Sequence, residues 1–198
     1  MRAAENPSPA VAGHSDTDPM ALLIRTAHTA ELAPTELRAV RDLLDDAFEG
    51  DFSDDDWDHT LGGVHALAYD AQGLAGHGSV VQRRARHQGR WRRVGYVEGV
   101  AVRGDVRRTG IGGRVMTALE EVVTRAYAFG ALSASAAGAP LYTARGWRPW
   151  AGPLCALGPD GVVRLAGEEG STYLWPAPAG TDDPGAELVF DWRDGDVF

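Results

Sequence analysis

The spacing of apolar residues changes several times along the chain, and each change predicts an element. The run at 21–26 (ALLIRT) predicts a first strand. From Pro34 the spacing becomes helical: Leu37, Val40, Leu43, Leu44, Ala47 and Phe48 share one stripe, and Gly50 ends it. Ser53 is a good N-cap, and Asp54, Asp55 and Asp56 suit the first turn of a short second helix that stops at Gly62-Gly63. Three β-rich runs follow, at 65–69, 74–82 and 91–102. The glycine-containing turns between them predict an antiparallel meander.

The third run is the hinge of the chain. Val97, Val100, Ala101 and Val102 favour a buried strand, whereas residues 103–108 carry arginines that belong in a loop. Ile111, Val115, Ala118, Leu119, Val122, Val123 and Ala126 then recur at helical spacing, predicting a helix over about 110–129. A small-residue strand is expected at 131–136 and a helix at 139–145, with Pro140 in its first turn, where a missing N–H costs nothing. Further strands are expected at 147–150, 162–165, Thr172–Trp175 and 187–192. This order predicts an α/β fold with a mixed, mostly antiparallel central sheet flanked by helices.

At 198 residues the chain holds one substantial domain, read as 21–198 behind a disordered leader at 1–20 that has no apolar segment of the secretory kind. No run is apolar enough for a membrane helix, so no membrane partner is expected. A net charge of −9 argues against nucleic acid and permits a cationic substrate. All 19 basic residues are arginine. Six of them, Arg83, Arg84, Arg86, Arg90, Arg92 and Arg93, cluster near a hairpin and read as its solvated end, with a phosphate or a partner subunit as alternative contacts. The single cysteine, Cys155, excludes an internal disulfide and fits a reducing compartment; cytoplasmic localisation is expected. The six histidines form no ligand pattern with carboxylates, so no metal is expected, and His59 and His77 read as structural.

Chemistry concentrates where the third run meets its helix. Arg107-x-x-Gly110-x-Gly112 places bare backbone N–H groups at a helix start, where the dipole favours an anion such as pyrophosphate. A dinucleotide fingerprint is the rival, but it requires three glycines within a parallel β-α-β unit, and here the strand closes an antiparallel meander.

This strand-loop-helix-strand order, followed by Leu141-Tyr142-Thr143-Ala144-Arg145-Gly146-Trp147, resembles the GNAT (GCN5-related) N-acetyltransferase superfamily. Further strings resemble the aminoglycoside 2'-N-acetyltransferases of mycobacteria and their relatives: Gly50-Asp51-Phe52, Asp56-Trp57, His59-Thr60-Leu61-Gly62-Gly63, residues 96–102, Gly130-Ala131-Leu132-Ser133 and residues 191–198. The chain departs from them at its last residue, Phe198, where tryptophan is expected.

The resemblance implies a GNAT fold, acetyl-CoA as cosubstrate and an aminoglycoside or other polyamine-like small molecule as acceptor. Val100, Ala101 and Val102 would hold the pantetheine arm, and Arg107, Arg108, Thr109, Gly110, Ile111 and Gly112 the pyrophosphate. Glu98 is the candidate base, acting through water, and Tyr142 the candidate acid; the Val100 N–H would face the oxyanion. The acceptor would meet Asp51, Asp56, Glu98, Gly99, Ser133, Gly167, Glu168, Asp196 and Phe198 with its terminal carboxylate, while Trp57 offers a flat face to a sugar ring. Plainer readings stand beside these: Glu98 as a charge at a strand bulge, Tyr142 as core packing, Glu168 as an ordinary turn, the tail as a frayed end. Cys155 lies outside the set, which favours direct transfer in a ternary complex. Another amine acceptor (a cell-wall sugar, a polyamine, a protein N-terminus) or a non-catalytic acetyl-CoA-binding module are the alternatives, and an edge strand in the C-terminal third suggests a homodimer.

Overall fold

The computed structural model describes residues 22–195 and 197. The leader expected at 1–20, and the acceptor contacts expected from Asp196 and Phe198, lie outside these residues. The chain runs β1 (Leu23–His28), α1 (Pro34–Ala47), α2 (Asp54–Thr60), β2 (Val64–Asp70), β3 (Gly73–His87), β4 (Arg90–Val102), α3 (Ile111–Ala126), β5 (Phe129–Ser133), α4 (Ala139–Ala144), β6 (Arg148–Pro149), β7 (Leu154–Gly158), β8 (Gly161–Arg164), β9 (Thr172–Trp175) and β10 (Leu188–Asp191). One curled sheet has the order β6-β9-β5-β4-β3-β10-β7-β8, with β2 on β3 and β1 on β2. All pairings are antiparallel except β4 with β5 and β10 with β7.

Strand β3 is the spine. Residue pairs 76–87 lie against β4 along one edge, while the other edge carries β2 on its first half and β10 on its last turn of pairing. Helix α3 packs on one face through Ile111, Val115, Met116, Leu119 and Val123 against Ala66, Ala68, Ala75, Val80 and Val97. It lies close because the sheet beneath it is glycine: a Cβ at Gly78 would stand 2.8 Å from Leu119 Cδ1. Helix α1 covers the opposite face, with Val40, Leu43 and Leu44 on Leu67 and Ala101. Each such side chain, fully buried, contributes roughly 1.5–3 kcal/mol.

Three boundaries differ from the sequence reading. Helix α3 stops at Ala126 because Tyr127 is already extended, and Phe129 enters the core as the first residue of β5. Strand β3 continues beyond 82 to His87, since Arg83, Ala85 and His87 alternate inward while Arg84 points out. Strand β7 lies where no strand was expected; it pairs in parallel with β10. Among the described residues no helix is long and apolar enough to cross a membrane.

Candidate active site

The site forms where β4 stops being a regular strand. His77 pairs with Ala101 while Ser79 pairs with Glu98, so Gly99 and Val100 stand against Gly78 alone. This is a β-bulge, with Gly99 at φ +55, and a Cβ there would press to 3.0 Å on Thr60 Cγ2. The bulge also ends contact with β5. The two strands pair only over Val94–Tyr96 and Phe129–Ala131, so from Val97 onward the edge of β4 facing β5 has no strand partner among the described residues. A V-shaped opening results, with peptide groups along one side. That is a fit for the extended amide-bearing arm of acetyl-CoA against Val100, Ala101 and Val102.

The mouth of α3 completes this groove. Gly110 takes φ +91 as N-cap without a side-chain cap, and the helical bonds begin with Arg114 N–H to Gly110 C=O. The N–H groups of Ile111, Gly112 and Gly113 therefore have no partner within the helix. Arg108 (φ +64) shapes the approach, and the Thr109 hydroxyl ties back to Val106 O at 2.7 Å. Arg107 lies over a groove of about 320 Å³ between α1 and the loop, donating to Val102 O (3.1 Å) and reaching Ala47 O (3.5 Å). The expected anion site is thus built of backbone, with Arg107 and Arg108 exposed beside it.

Glu98 and Tyr142 approach the opening from opposite faces of the sheet. Tyr142 sits in the α3 cluster with Val97 and Leu132, where Val100 and Val102 also pack. Its ring stands 6.2 Å from Trp147, and burial pushes its phenol up to about 12. Helix α4 is held there by Glu120 of α3, which accepts from Arg145 Nε (2.8 Å) and Trp147 Nε1 (2.9 Å). Glu98 lies on the α1 and α2 side, nearly buried, and its carboxylate is paired with Arg193 of the C-terminal segment. Burial raises its pKa above the ordinary glutamate value; Arg193 and Arg83 oppose this, and Asp56 adds to it.

The expected acceptor residues are distributed unevenly. Asp56 borders Glu98 electrostatically but also closes the N-terminus of α2, accepting from the Ser53 N–H at 2.8 Å. Glu168, half-buried, acts on Tyr96 next to the site. Ser133 ends β5 and donates to Ser171 Oγ at 3.1 Å. Asp51 is an exposed loop residue, and Gly167 is exposed within a 3-10 turn at Ala166–Glu168. Trp57 is half-buried, with the Arg41 guanidinium 6.0 Å from its ring centre.

Three residues at the site were not expected there. Arg83 is no hairpin-tip charge: it is 4% exposed, because its guanidinium fits between the rings of Tyr96 and Phe190, 5.0 Å from each. It holds Asp191 (Nε–Oδ1 3.0 Å) and the Val197 carbonyl. Arg193, also bonded to the Val197 carbonyl at 3.2 Å, sits 5.3 Å over Tyr96. His77, read as merely structural, donates to Gly99 O at 2.8 Å. Of the other hairpin arginines, Arg84, Arg90, Arg92 and Arg93 are exposed as expected, while Arg86 is half-buried and pairs with Glu187 at 3.0 Å; Cys155 is buried near Glu187 away from the site. Among the described residues no His, Cys, Asp and Glu group could hold a metal ion.

A bulged strand splaying from its parallel neighbour, beside a glycine-opened helix, defines an acyl-CoA-dependent N-acyltransferase scaffold. A family model described as an acetyltransferase (GNAT) domain matches residues 28–150, and the chain belongs to this family, whose members use acetyl-CoA. Over 177 residues it is 45% identical to the aminoglycoside 2'-N-acetyltransferase of Mycolicibacterium fortuitum, covering 88% of this chain and 91% of that protein. Among solved structures, the GNAT family N-acetyltransferase YhbS from Escherichia coli in complex with CoA matches with a TM-score of 0.60, 18% identity, and coverage of 96% of this chain and 94% of that one. An acyl-CoA N-acyltransferase from Pseudomonas aeruginosa matches at a TM-score of 0.55 and 18% identity, over 78% of this chain and 99% of that one. At such identity the likeness is one of fold.

Proposed function

We propose that this chain is an aminoglycoside 2'-N-acetyltransferase, moving the acetyl group of acetyl-CoA directly to the 2'-amine, in the cytoplasm. The observation that carries the acceptor is the 45% identity to the Mycolicibacterium fortuitum enzyme along nearly the whole of both chains. The geometry supports the chemistry: a buried carboxylate beside a bulged peptide group, with an open peptide edge and a phenol across the cleft.

Acetyl-CoA supplies a thioester carbonyl. Glu98, through a water molecule, takes a proton from the substrate ammonium, so that a neutral amine attacks that carbon. The Val100 N–H donates to the carbonyl oxygen as it gains negative charge. The carbon–sulfur bond then breaks and the thiolate leaves. Tyr142, with its pKa near 12, gives the departing sulfur a hydrogen bond while keeping its own proton, because a thiol of ordinary pKa about 8.5 is the stronger acid. The proton that finally neutralises the thiolate comes from the new amide nitrogen. Asp56, Glu168 and Glu98 give the acceptor side an acidic lining suited to ammonium groups. Asp51, Ser133, Gly167, Asp196 and Phe198 are proposed as further acceptor contacts on the basis of the resemblance.

The test is thiol release from acetyl-CoA with aminoglycosides that have or lack a free 2'-NH₂, alongside a polyamine and a short peptide. Release confined to compounds with the 2'-amine is expected. Equal release with the peptide or the polyamine would move the chain to another acceptor, and no release with any amine would make it a binding module.

A further inference from the structure

The Gly99 carbonyl is turned out of the β3–β4 ladder by the bulge, and it accepts its hydrogen bond from a side chain. Behind that bond lies a chain of buried groups. His77 Nδ1 meets Gly99 O at 2.8 Å, His77 Nε2 meets His65 Nδ1 at 2.9 Å, and His65 Nε2 meets Thr29 Oγ1 at 2.8 Å. Thr29 Oγ1 in turn accepts from the Gly62 N–H at 2.9 Å. Both rings are fully buried.

A carbonyl can only accept, so for two neutral rings the direction is set from the Gly99 end. His77 must carry its proton on Nδ1 to serve Gly99, which leaves Nε2 as an acceptor. His65 must therefore be protonated on Nδ1 and accept at Nε2, where the Thr29 hydroxyl donates. The Thr29 hydroxyl also lies 3.3 Å from Gly63 O, an acceptor it would use if His65 turned to its Nε2–H form beneath a charged His77; in either form His77 Nδ1–H serves Gly99, and burial favours the neutral pair. Burial holds both rings neutral, with His65 pushed down to about 4 and His77 to about 3.

We infer that the Thr29–His65–His77 chain is a positioning relay that fixes the Gly99 carbonyl, and with it the flanking Glu98 carboxylate and Val100 N–H, in the reacting arrangement. The inference rests on the proposed roles of Glu98 and Val100. Without the His77 donor the Gly99 carbonyl, which stands outside the β3–β4 register, loses that hydrogen bond, and the strand gains by turning the peptide. That rotation moves Glu98 and Val100 together. A displacement of about 1 Å at a reacting centre can lower a rate about 10²-fold.

The experiment uses the full chain with acetyl-CoA and a 2'-amino aminoglycoside. His77→Ala is expected to lower kcat about 10²-fold while the KM for acetyl-CoA changes little, since the α3 mouth is untouched. His77→Asn, whose amide N–H lies where Nδ1 lies, is expected to restore kcat to within about tenfold of the parent. Parental kcat in His77→Ala, or an Asn variant no better than Ala, overturns the relay if Glu98→Gln is impaired in parallel. Parental turnover in Glu98→Gln overturns the reading of the site instead. Should His77→Ala fail to fold, ¹⁵N spectra of the parent, assigned with His65→Gln, decide: both rings are expected as neutral Nδ1–H tautomers, and an Nε2–H or charged ring near neutral pH overturns the relay.

Discussion

Glu98 is held between opposed influences. Its strand position buries it, which favours the protonated acid, while the Arg193 guanidinium paired with it and the nearby Arg83 favour the carboxylate. Burial prevails, so the carboxyl titrates above the ordinary glutamate range. In its proposed role as general base Glu98 must be ionised, so kcat/KM is expected to fall as pH drops through that raised value. Arg193→Gln removes the principal opposing charge, and the acidic limb attributable to Glu98 moves to higher pH. In Glu98→Gln that limb disappears and the rate drops by ~10² to 10⁴. Profiles of kcat/KM against pH for the three proteins check this, and a superimposable profile for Arg193→Gln would show that Arg193 does not tune the base. The limb set by the substrate's own amine stays where it is in all three, which separates the two contributions.

At the scale of elements, the role proposed for Tyr142 depends on how a six-residue helix is kept in register with the sheet. Helix α4 is too short to hold itself, and Tyr142 owes its place to the buried Glu120 bridge to Arg145 and Trp147. Breaking a buried pair by removing one partner costs about 3 kcal/mol or more. Glu120→Ala is therefore expected to lower the Tm by roughly 6–12 °C for a chain of this size and to lower kcat with it. Calorimetry beside turnover reads both effects; an unchanged Tm would mean that α4 is held by its apolar contacts alone. Glu120 was invisible in the sequence because it reads as one more solvated helix charge, and only the fold turns it inward. The helices α1, α2 and α3 and the meander β2–β3–β4 were legible, since their periodicity, caps and glycine turns are local. The glycine-opened mouth of α3 was legible for the same reason. What local pattern could not carry was long-range: the parallel pairing of β7 with β10, the inward Arg83 in an arginine-rich run, and the meeting of His65 and His77 across β2 and β3.

Across the whole molecule, the C-terminal segment is what closes over the α2 side of Glu98, and its proposed role is to shape the acceptor site. Strand β10 enters the sheet beside the second half of β3, and the chain then doubles back over the α2 face. His59 of α2 meets the Asp194 carbonyl at 2.9 Å, and Gly195 packs on Asp55 so closely that a Cβ would clash at 2.5 Å. Arg83 and Arg193 both bond to the Val197 carbonyl, and Arg193 also reaches Glu98. Arg193 and Val197 are thus tied to the sheet through the guanidinium groups of Arg83 and Arg193. Ending the chain at Gly195 removes the Val197 carbonyl together with the acidic Asp196 and the terminal carboxylate. Losing an acceptor of buried Arg83 is expected to cost about 1–3 kcal/mol of stability. The sharper expectation concerns binding. The segment's contacts with Asp55, His59 and Glu98 lie on the α2 side, away from Arg107 and the α3 mouth, so the KM for acetyl-CoA should hold while that for the aminoglycoside rises. The rise should shrink at higher salt, because screening weakens the carboxylate field that the truncation removes. Steady-state kinetics of the truncated and full chains at low and moderate ionic strength measure this, and an unchanged aminoglycoside KM would place the tail outside the acceptor site.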